Sequence, residues 1–262
     1  DVEFQMWRER PLGAYAYLVI DARYEKIRHG GIVIDCAVII AMGIGSEGKR
    51  TILGVSAALS EGEAHWRTFL ASLVTQGLHG VKYIVSDAHS GLAAARQAIF
   101  PSVPWQRCQF HLQQNAQAYV PRVEMRLGVA ADIRSIFNCG DLVSAQARLK
   151  QVVEMYAKTA PKLANWMEAT LPQGLTCFIL PEAHQKRMRT SNAIERVNQE
   201  LKRRTRVASI FPNEAAVLRL TAALLCEQSN EWLSGKIYLN MSPSGTTEVA
   251  TPSAKLQPHE ST

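Results

Sequence analysis

Three β-rich runs follow one another in the first sixty residues, and they restrict the chain to folds that open with a meander. "AYAYLVIDARYE" (Ala14 to Glu25), "GIVIDCAVIIAMGI" (Gly31 to Ile44) and "KRTILGVSAAL" (Lys49 to Leu59) are divided by "RHGG" and "GSEGK" turns, so consecutive strands are expected to pair antiparallel. A helix follows. Ser60 with Glu63 three residues later is a capping-box arrangement, Trp66, Phe69, Leu70 and Leu73 share one face, and Gly77 marks the end. "VKYIVSD" (Val81 to Asp87) then reads as a short buried strand, "SGLAAARQAIF" as a helix, and "WQRCQFHL" (Trp105 to Leu112) as a strand running into a helix. Strands alternating with helices imply parallel neighbours, so the sheet should be mixed and the fold class α/β.

The pattern changes from about Asn115 to Gln185. Ala, Leu, Arg, Met and Glu dominate at helical spacing and no strand is evident, which predicts an all-helical block. Beyond it Ile194, Val197 and Leu201 line one side of a further helix, and another apolar helix spans about Glu214 to Trp232. The tail from Ser242 has too few apolar residues to offset chain entropy and is expected to be disordered. The expected organisation is a first core segment at 12–114, a helical block at 115–185, a second core segment at 186–241 and a tail at 242–262.

Bulk properties narrow the function. With 262 residues and 47% hydrophobic content the chain can bury a sizeable core. No apolar run approaches the length of a bilayer-spanning helix, and the N-terminal "DVEFQMWRER" lacks the layout of a signal peptide, so neither a membrane nor export is expected. The five cysteines are scattered and never form a C-x-x-C pair, which predicts a reducing, cytoplasmic setting. A chain that opens on Asp1 rather than Met predicts a missing upstream region. Between Lys186 and Arg206 eight basic residues stand against two acids, a surplus of six that equals the +6 of the whole chain. So local a basic stripe is the electrostatic footprint of a polyanion contact.

Acids placed among these features carry the chemistry. Asp21 sits toward the carboxyl end of the first strand and Asp87 ends a later one, and ligands of open α/β sheets gather beyond such ends. Two neighbouring carboxylates need a cation. In a phosphate-processing cleft that cation is usually Mg²⁺, and a third carboxylate, Glu195, allows a second metal ~3.5–4 Å away. Taken singly, Asp87 also fits a helix cap before "AHSGL", and Glu195 fits a capping pair with Asn192. In order, a three-strand meander, a helix, a strand ending in Asp and a late helix carrying Glu is the layout of a ribonuclease H-like domain, with the helical block as an insertion.

At these residues the chain resembles the Mutator-type transposases of bacterial insertion sequences. The matching motifs are "LVIDARYEKIRHGG", "VSDAHSGLAAA", "WQRCQFHLQQN", "RTSNAIERVNQELKRRTRV", "IFPN" and "EWLSGKIYLNM", in the family's order. The resemblance implies a ribonuclease H-like mixed sheet flanked by helices and interrupted by an all-helical insertion. It implies an Asp-Asp-Glu triad of Asp21, Asp87 and Glu195 that both catalyses and holds Mg²⁺, with Mn²⁺ able to substitute. The reaction implied is hydrolysis of the phosphodiester at the element's end, followed by attack of the freed 3′-hydroxyl on target DNA. Double-stranded DNA, a homodimer and a bacterial nucleoid setting come with it, as does an N-terminal region of DNA-binding helices that this chain does not include.

Other residues have graded roles. Cys108 and His111 form half of a zinc-ligand pattern with no second pair to complete it, so active-site or phosphate contact and simple packing stay open for them. Arg107, His111, Arg189, Arg196, Lys202, Arg203, Arg204 and Arg206 are expected to meet DNA at phosphate, which positions a duplex without reading it. Two rival readings remain: a hydrolysis-only nuclease of the same fold, and a non-enzymatic DNA-binding transposase remnant.

Overall fold

The computed structural model describes residues 2–242. The tail expected to be disordered lies, beyond residue 242, outside the described residues. The meander forms as the sequence predicts: β1 (Tyr15–His29), β2 (Ile32–Gly45) and β3 (Arg50–Ala58) pair antiparallel. β1 runs four residues past Glu25, because Gly30 and Gly31 at φ +56° and +85° make the tight turn that lets His29 pair with Ile32. Asp21 consequently lies in the middle of β1 rather than toward its end.

A short helix, α1 (Val2–Glu9), precedes the meander, and α2 (Glu63–Thr75), β4 (Tyr83–Ser86), α3 (Ser90–Ile99) and β5 (Trp105–Arg107) follow it. The strands form one mixed sheet in the order β3-β2-β1-β4-β5, with β4 parallel to both β1 and β5. The expected capping box is absent. Gly62 occupies the N-cap of α2 with no side-chain cap, while Glu61 accepts hydrogen bonds from the Tyr24 hydroxyl (2.7 Å) and the Trp66 indole (3.3 Å). Nor does Asp87 cap α3, whose N-cap is His89.

Between the fifth strand and the basic segment every described element is helical: α4 (Gln109–Ala116), α5 (Arg126–Phe137), α6 (Leu142–Tyr156), α7 (Pro161–Thr170) and α8 (Glu182–Met188), with 3-10 turns between them. Leu112, Ile133, Ile136, Val152, Leu163 and Met167 are fully buried in a core of their own. Last come α9 (Asn192–Thr205) and α10 (Glu214–Ser234).

Strand alternation decides which helices cover which face. Tyr17, Val19, Val38, Ile40, Tyr83 and Val85 pack with Ile194, Val197 and Leu201 of α9 and Val217 and Leu225 of α10. Leu18, Ile20, Ile39 and Ile84 point the other way, onto Trp66, Phe69 and Leu70 of α2 and Leu92 of α3. With both faces covered, β2 is a continuous buried run rather than an alternating one.

Buried side-chain amides fasten the helical block to the sheet, Gln106 foremost. Gln106 of β5, fully buried, donates through Nε2 to the Gly174 carbonyl (2.8 Å) and accepts at Oε1 from the Cys177 amide (2.7 Å) and the Tyr83 hydroxyl (3.2 Å). Gln106→Leu leaves the Cys177 amide without its acceptor in an apolar setting, so a loss of about 2 kcal/mol in unfolding free energy is expected from urea denaturation. An unshifted midpoint would mean that the block docks without this amide.

Candidate active site

Register brings the two aspartates level. In the parallel ladder Val19 pairs with Val85, so Asp21 and Asp87 each stand two residues further along. Ser86 pairs with Arg107, so the residues after them, Asp87 and Cys108, are also level. Spacing by two keeps Asp21 in phase with Val19 and Asp87 in phase with Val85, on the face that α9 covers. β4 and β5 stop at this level while β1 continues beside β2, and the row Asp21, Asp87, Cys108 borders the gap where the parallel strands end.

The α9 helix is pinned over that row. The Ser191 amide donates to Cys108 Sγ (3.3 Å), and the Gln109 amide donates to the Arg189 carbonyl (3.0 Å). Ser191 Oγ donates to Glu195 Oε1 (2.8 Å), and the Cys108 thiol approaches the same oxygen at 3.7 Å. Three residues on, on the same helical face, Asn198 Nδ2 donates to Asp21 Oδ2 (2.7 Å). Further along, Arg23 donates to the Asn198 carbonyl (2.9 Å) and Thr205 Oγ1 to Glu25 (2.9 Å). Ser191 is the N-cap of α9, so the Asn192–Glu195 capping pair does not form.

One acid here, Asp21, is short of solvent. Burial pushes the Asp21 carboxyl up to about 7, with Glu195 adding to the rise and His111, the Ala22 amide and Asn198 opposing it. His111 is raised to about 9, chiefly by its interaction with Cys108 and then by Asp87 and Asp21, against burial. Its Nδ1 is buried with no hydrogen-bond partner, as is Asn198 Oδ1. Burial lowers the Arg107 guanidinium while Asp87 supports its charge, and Arg107 reaches Gln173 at 3.3 Å.

This donor set fits a divalent cation. A carboxyl raised by burial, with a second carboxylate adding to the rise, is what a hard oxygen-seeking ion relieves. Cys108, His111 and Glu195 offer ligand atoms all within 4.8 Å of one another, the one such trio among the described residues. Asp21 and Asp87 border this trio without being part of it.

The expected DNA contacts divide. Arg203 and Arg204 both pair with Glu200 (2.7 Å each) and through these hydrogen bonds draw it down to about 2, and Arg204 also pairs with Glu227 (2.7 Å). Arg189 is half-buried and donates to the Phe137 carbonyl (3.2 Å) and Asn138 Oδ1 (3.0 Å), tying the helical block to the start of α9. Arg196, Lys202 and Arg206 are exposed and make no ion pair among the described residues. Lys202 and Arg206 flank a 610 Å³ cleft that also contains Arg23 and Asn198. Asn198 and Ser191 were not anticipated from sequence. Their spacing from Glu195, three and four residues along one helix, was the available signal.

The structure therefore belongs to the class of mixed α/β proteins that gather acids beneath a cationic helix at the ends of parallel strands. A family model described as "Transposase, Mutator family" matches residues 1–235, and the chain belongs to that family. It is 55% identical over 243 residues to the transposase for insertion sequence element IS406 of Burkholderia multivorans, covering 93% of this chain and 63% of that protein. The transposase for insertion sequence element ISRM5 of Rhizobium meliloti is 40% identical over 242 residues, covering 92% of this chain and 61% of that protein. The chain thus spans about three-fifths of the length of these curated relatives. A simian T-cell lymphotropic virus intasome chain aligns at a TM-score of 0.25 and 12% identity over 62% of this chain and 51% of its own, too slight a likeness to bear on the fold. No described helix is long and apolar enough to cross a membrane.

Because Asp21 titrates near 7 in the fold and near 3.8 when unfolded, the native protein keeps a proton that the unfolded chain has released. Its contribution to stability falls as pH rises from about 4 to about 7. In EDTA-containing buffer Asp21→Asn is expected to show a flatter dependence of Tm on pH across this window than the parent, and a higher Tm at about pH 7. Equal slopes, read by scanning calorimetry, would show that Asp21 carries no such penalty.

Proposed function

We propose that this chain is the catalytic portion of a DNA transposase, with Asp21, Asp87 and Glu195 as its acidic triad. The observation that carries the reading is the level register of Asp21 and Asp87 on adjacent parallel strands, with Glu195 held across from them by Ser191 and α9 anchored to Asp21 through Asn198. We read the fold as ribonuclease H-like, with residues 12–114 and 186–241 forming the core and 115–185 an all-helical insertion. Strand order and the mixed pairing support this.

Asp21, Asp87 and Glu195 are the residues that would hold Mg²⁺, or Mn²⁺ in its place. When bound, the ion supplies positive charge for the phosphate oxygens and lowers the pKa of water. The chain's own groups do the positioning. Asn198 fixes one Asp21 oxygen, Ser191 fixes one Glu195 oxygen, and Arg107 and His111 present positive charge beside Asp87. In hydrolysis the oxygen of water bonds to phosphorus and the 3′-oxygen of the element's end leaves. In strand transfer that 3′-oxygen bonds to a target phosphorus and the target's own 3′-oxygen leaves. Arg196, Lys202 and Arg206, with Arg189, Arg203 and Arg204 in lesser measure because of their protein partners, contact the phosphates of double-stranded DNA. Joining two ends calls for a homodimer, and the setting is the bacterial cytoplasm at the nucleoid.

Asp21→Asn, Asp87→Asn and Glu195→Gln are each expected to lower Mg²⁺-dependent nicking of an end-bearing duplex at least about 100-fold, ~2.7 kcal/mol of barrier, with duplex binding kept. Substantial residual nicking in any variant removes that residue from the triad. Nicking of an intact end without joining of a pre-cut one would instead indicate a hydrolysis-only nuclease, and binding without any nicking a non-enzymatic remnant.

A further inference from the structure

The helical turn that carries Glu195 also borders a second cleft. Asn192 and Arg196 of α9, Lys186 and Arg187 of α8, Arg50 at the start of β3, and Tyr238 enclose a volume of 360 Å³. Four cations line it and no carboxylate does. None of the four makes an ion pair among the described residues, in contrast to Arg203 and Arg204 on the far half of the same helix.

The cleft is a built feature. The Arg50 guanidinium lies 4.2 Å from the Trp232 ring centre and 4.5 Å from that of Tyr238, and Arg187 lies 4.7 Å from the Tyr238 ring. Tyr238 is itself clamped, because the amides of Tyr238 and Leu239 both donate to the Gly48 carbonyl (2.9 and 3.1 Å). A Cβ on Gly48, already at φ +72°, would overlap the Leu239 carbonyl oxygen at 1.7 Å, so only glycine permits this approach. Next to it the Asn240 carbonyl meets His184 Nε2 (2.6 Å), whose Nδ1 meets the Tyr17 hydroxyl (2.7 Å). Burial, and then the nearby charges of Arg187 and Arg196, pull the Arg50 guanidinium below its ordinary value despite Tyr238. Guanidiniums already seated on ring faces lose little freedom on meeting an anion, and their planar forks match phosphate oxygens.

We propose that this cleft is a second nucleic-acid site, which binds consecutive backbone phosphates of the DNA strand that leaves the candidate active site. Its volume exceeds what one phosphate ion fills, and four cations without acid partners fit a run of phosphodiesters. The proposal rests on the DNA-processing reading of Glu195 but assigns residues outside the triad.

The test measures binding of a fluorescein-labelled duplex of arbitrary sequence by anisotropy across a series of KCl concentrations. Lys186→Glu combined with Arg187→Glu is expected to weaken binding at least about tenfold at ~100 mM KCl and to reduce the salt slope by about 2. Lys186→Gln with Arg196→Gln, which leaves every ring contact in place, should show the same change in slope with an unaltered Tm. Parental affinity and slope in both variants would overturn the proposal, as would displacement of the duplex by inorganic pyrophosphate at equal concentration of phosphate groups. Lost binding in the variants alongside a parent that never nicks leaves the cleft standing and removes the triad. Intact nicking with unchanged slopes does the reverse.

Discussion

The parallel ladder between β1 and β4 holds only three residue pairs, from Tyr17 with Tyr83 to Val19 with Val85, and the arrangement of the acidic pocket depends on it. A strand's side chains alternate faces, so a slip of one residue would send Asp87 to the α2 and α3 side while Asp21 stayed on the α9 side. The buried pairs Leu18 with Ile84 and Val19 with Val85 make such a slip costly, because it would send Ile84 into the core that Tyr83 and Val85 fill and send those two into the core beneath α2 and α3. The packing that keeps Ile84 against α3 is thus the same packing that keeps two aspartates side by side.

The α9 helix completes the site by a similar economy. Its apolar stripe of Ile194, Val197 and Leu201 seats it on the sheet, while Asn198 meets Asp21 of β1 and the amide of its cap residue Ser191 meets Cys108 just past β5. Hydrogen bonds from Ser191 and Asn198 fix orientation more than they add net stability, since each replaces a bond to water. Asn198 donates to one Asp21 oxygen and opposes the rise in its pKa, but burial outweighs it and keeps the carboxyl up at about 7.

Charge along α9 is graded rather than uniform. Toward its carboxyl end Glu200 binds Arg203 and Arg204, while Arg196, Lys202 and Arg206 have no acid partner among the described residues. A count of basic residues treats these alike. The distinction needs the side-chain positions, because exposed pairs spaced three and four residues apart on a helix neutralise each other locally and lose much of their pull on a distant polyanion. Arg189 illustrates a second kind of withdrawal: its hydrogen bonds to Phe137 and Asn138 make it a tie between the helical block and the site.

The strand order of the opening meander, the helix with Trp66 on its buried face, the strand ahead of Asp87 and the helical run after Asn115 were all legible from periodicity and turn residues, since these depend on neighbours in sequence. Helix caps were not: Ser60 and Asp87 have capping chemistry, yet Gly62 and His89 hold those positions. The extension of β1 past Glu25 likewise depended on a partner strand. What the sequence alone determined is the set of elements, their order and the placement of acids and bases on them, along with the family resemblance. Tertiary structure alone decided that Cys108, His111 and Glu195 cluster with Asp21 and Asp87 beside them, that Asn198 bonds to Asp21, and that Arg50 lies near Arg187 and Arg196. Those proximities arise from strand register and helix docking between residues far apart in the chain, and no local pattern encodes a distance across a sheet.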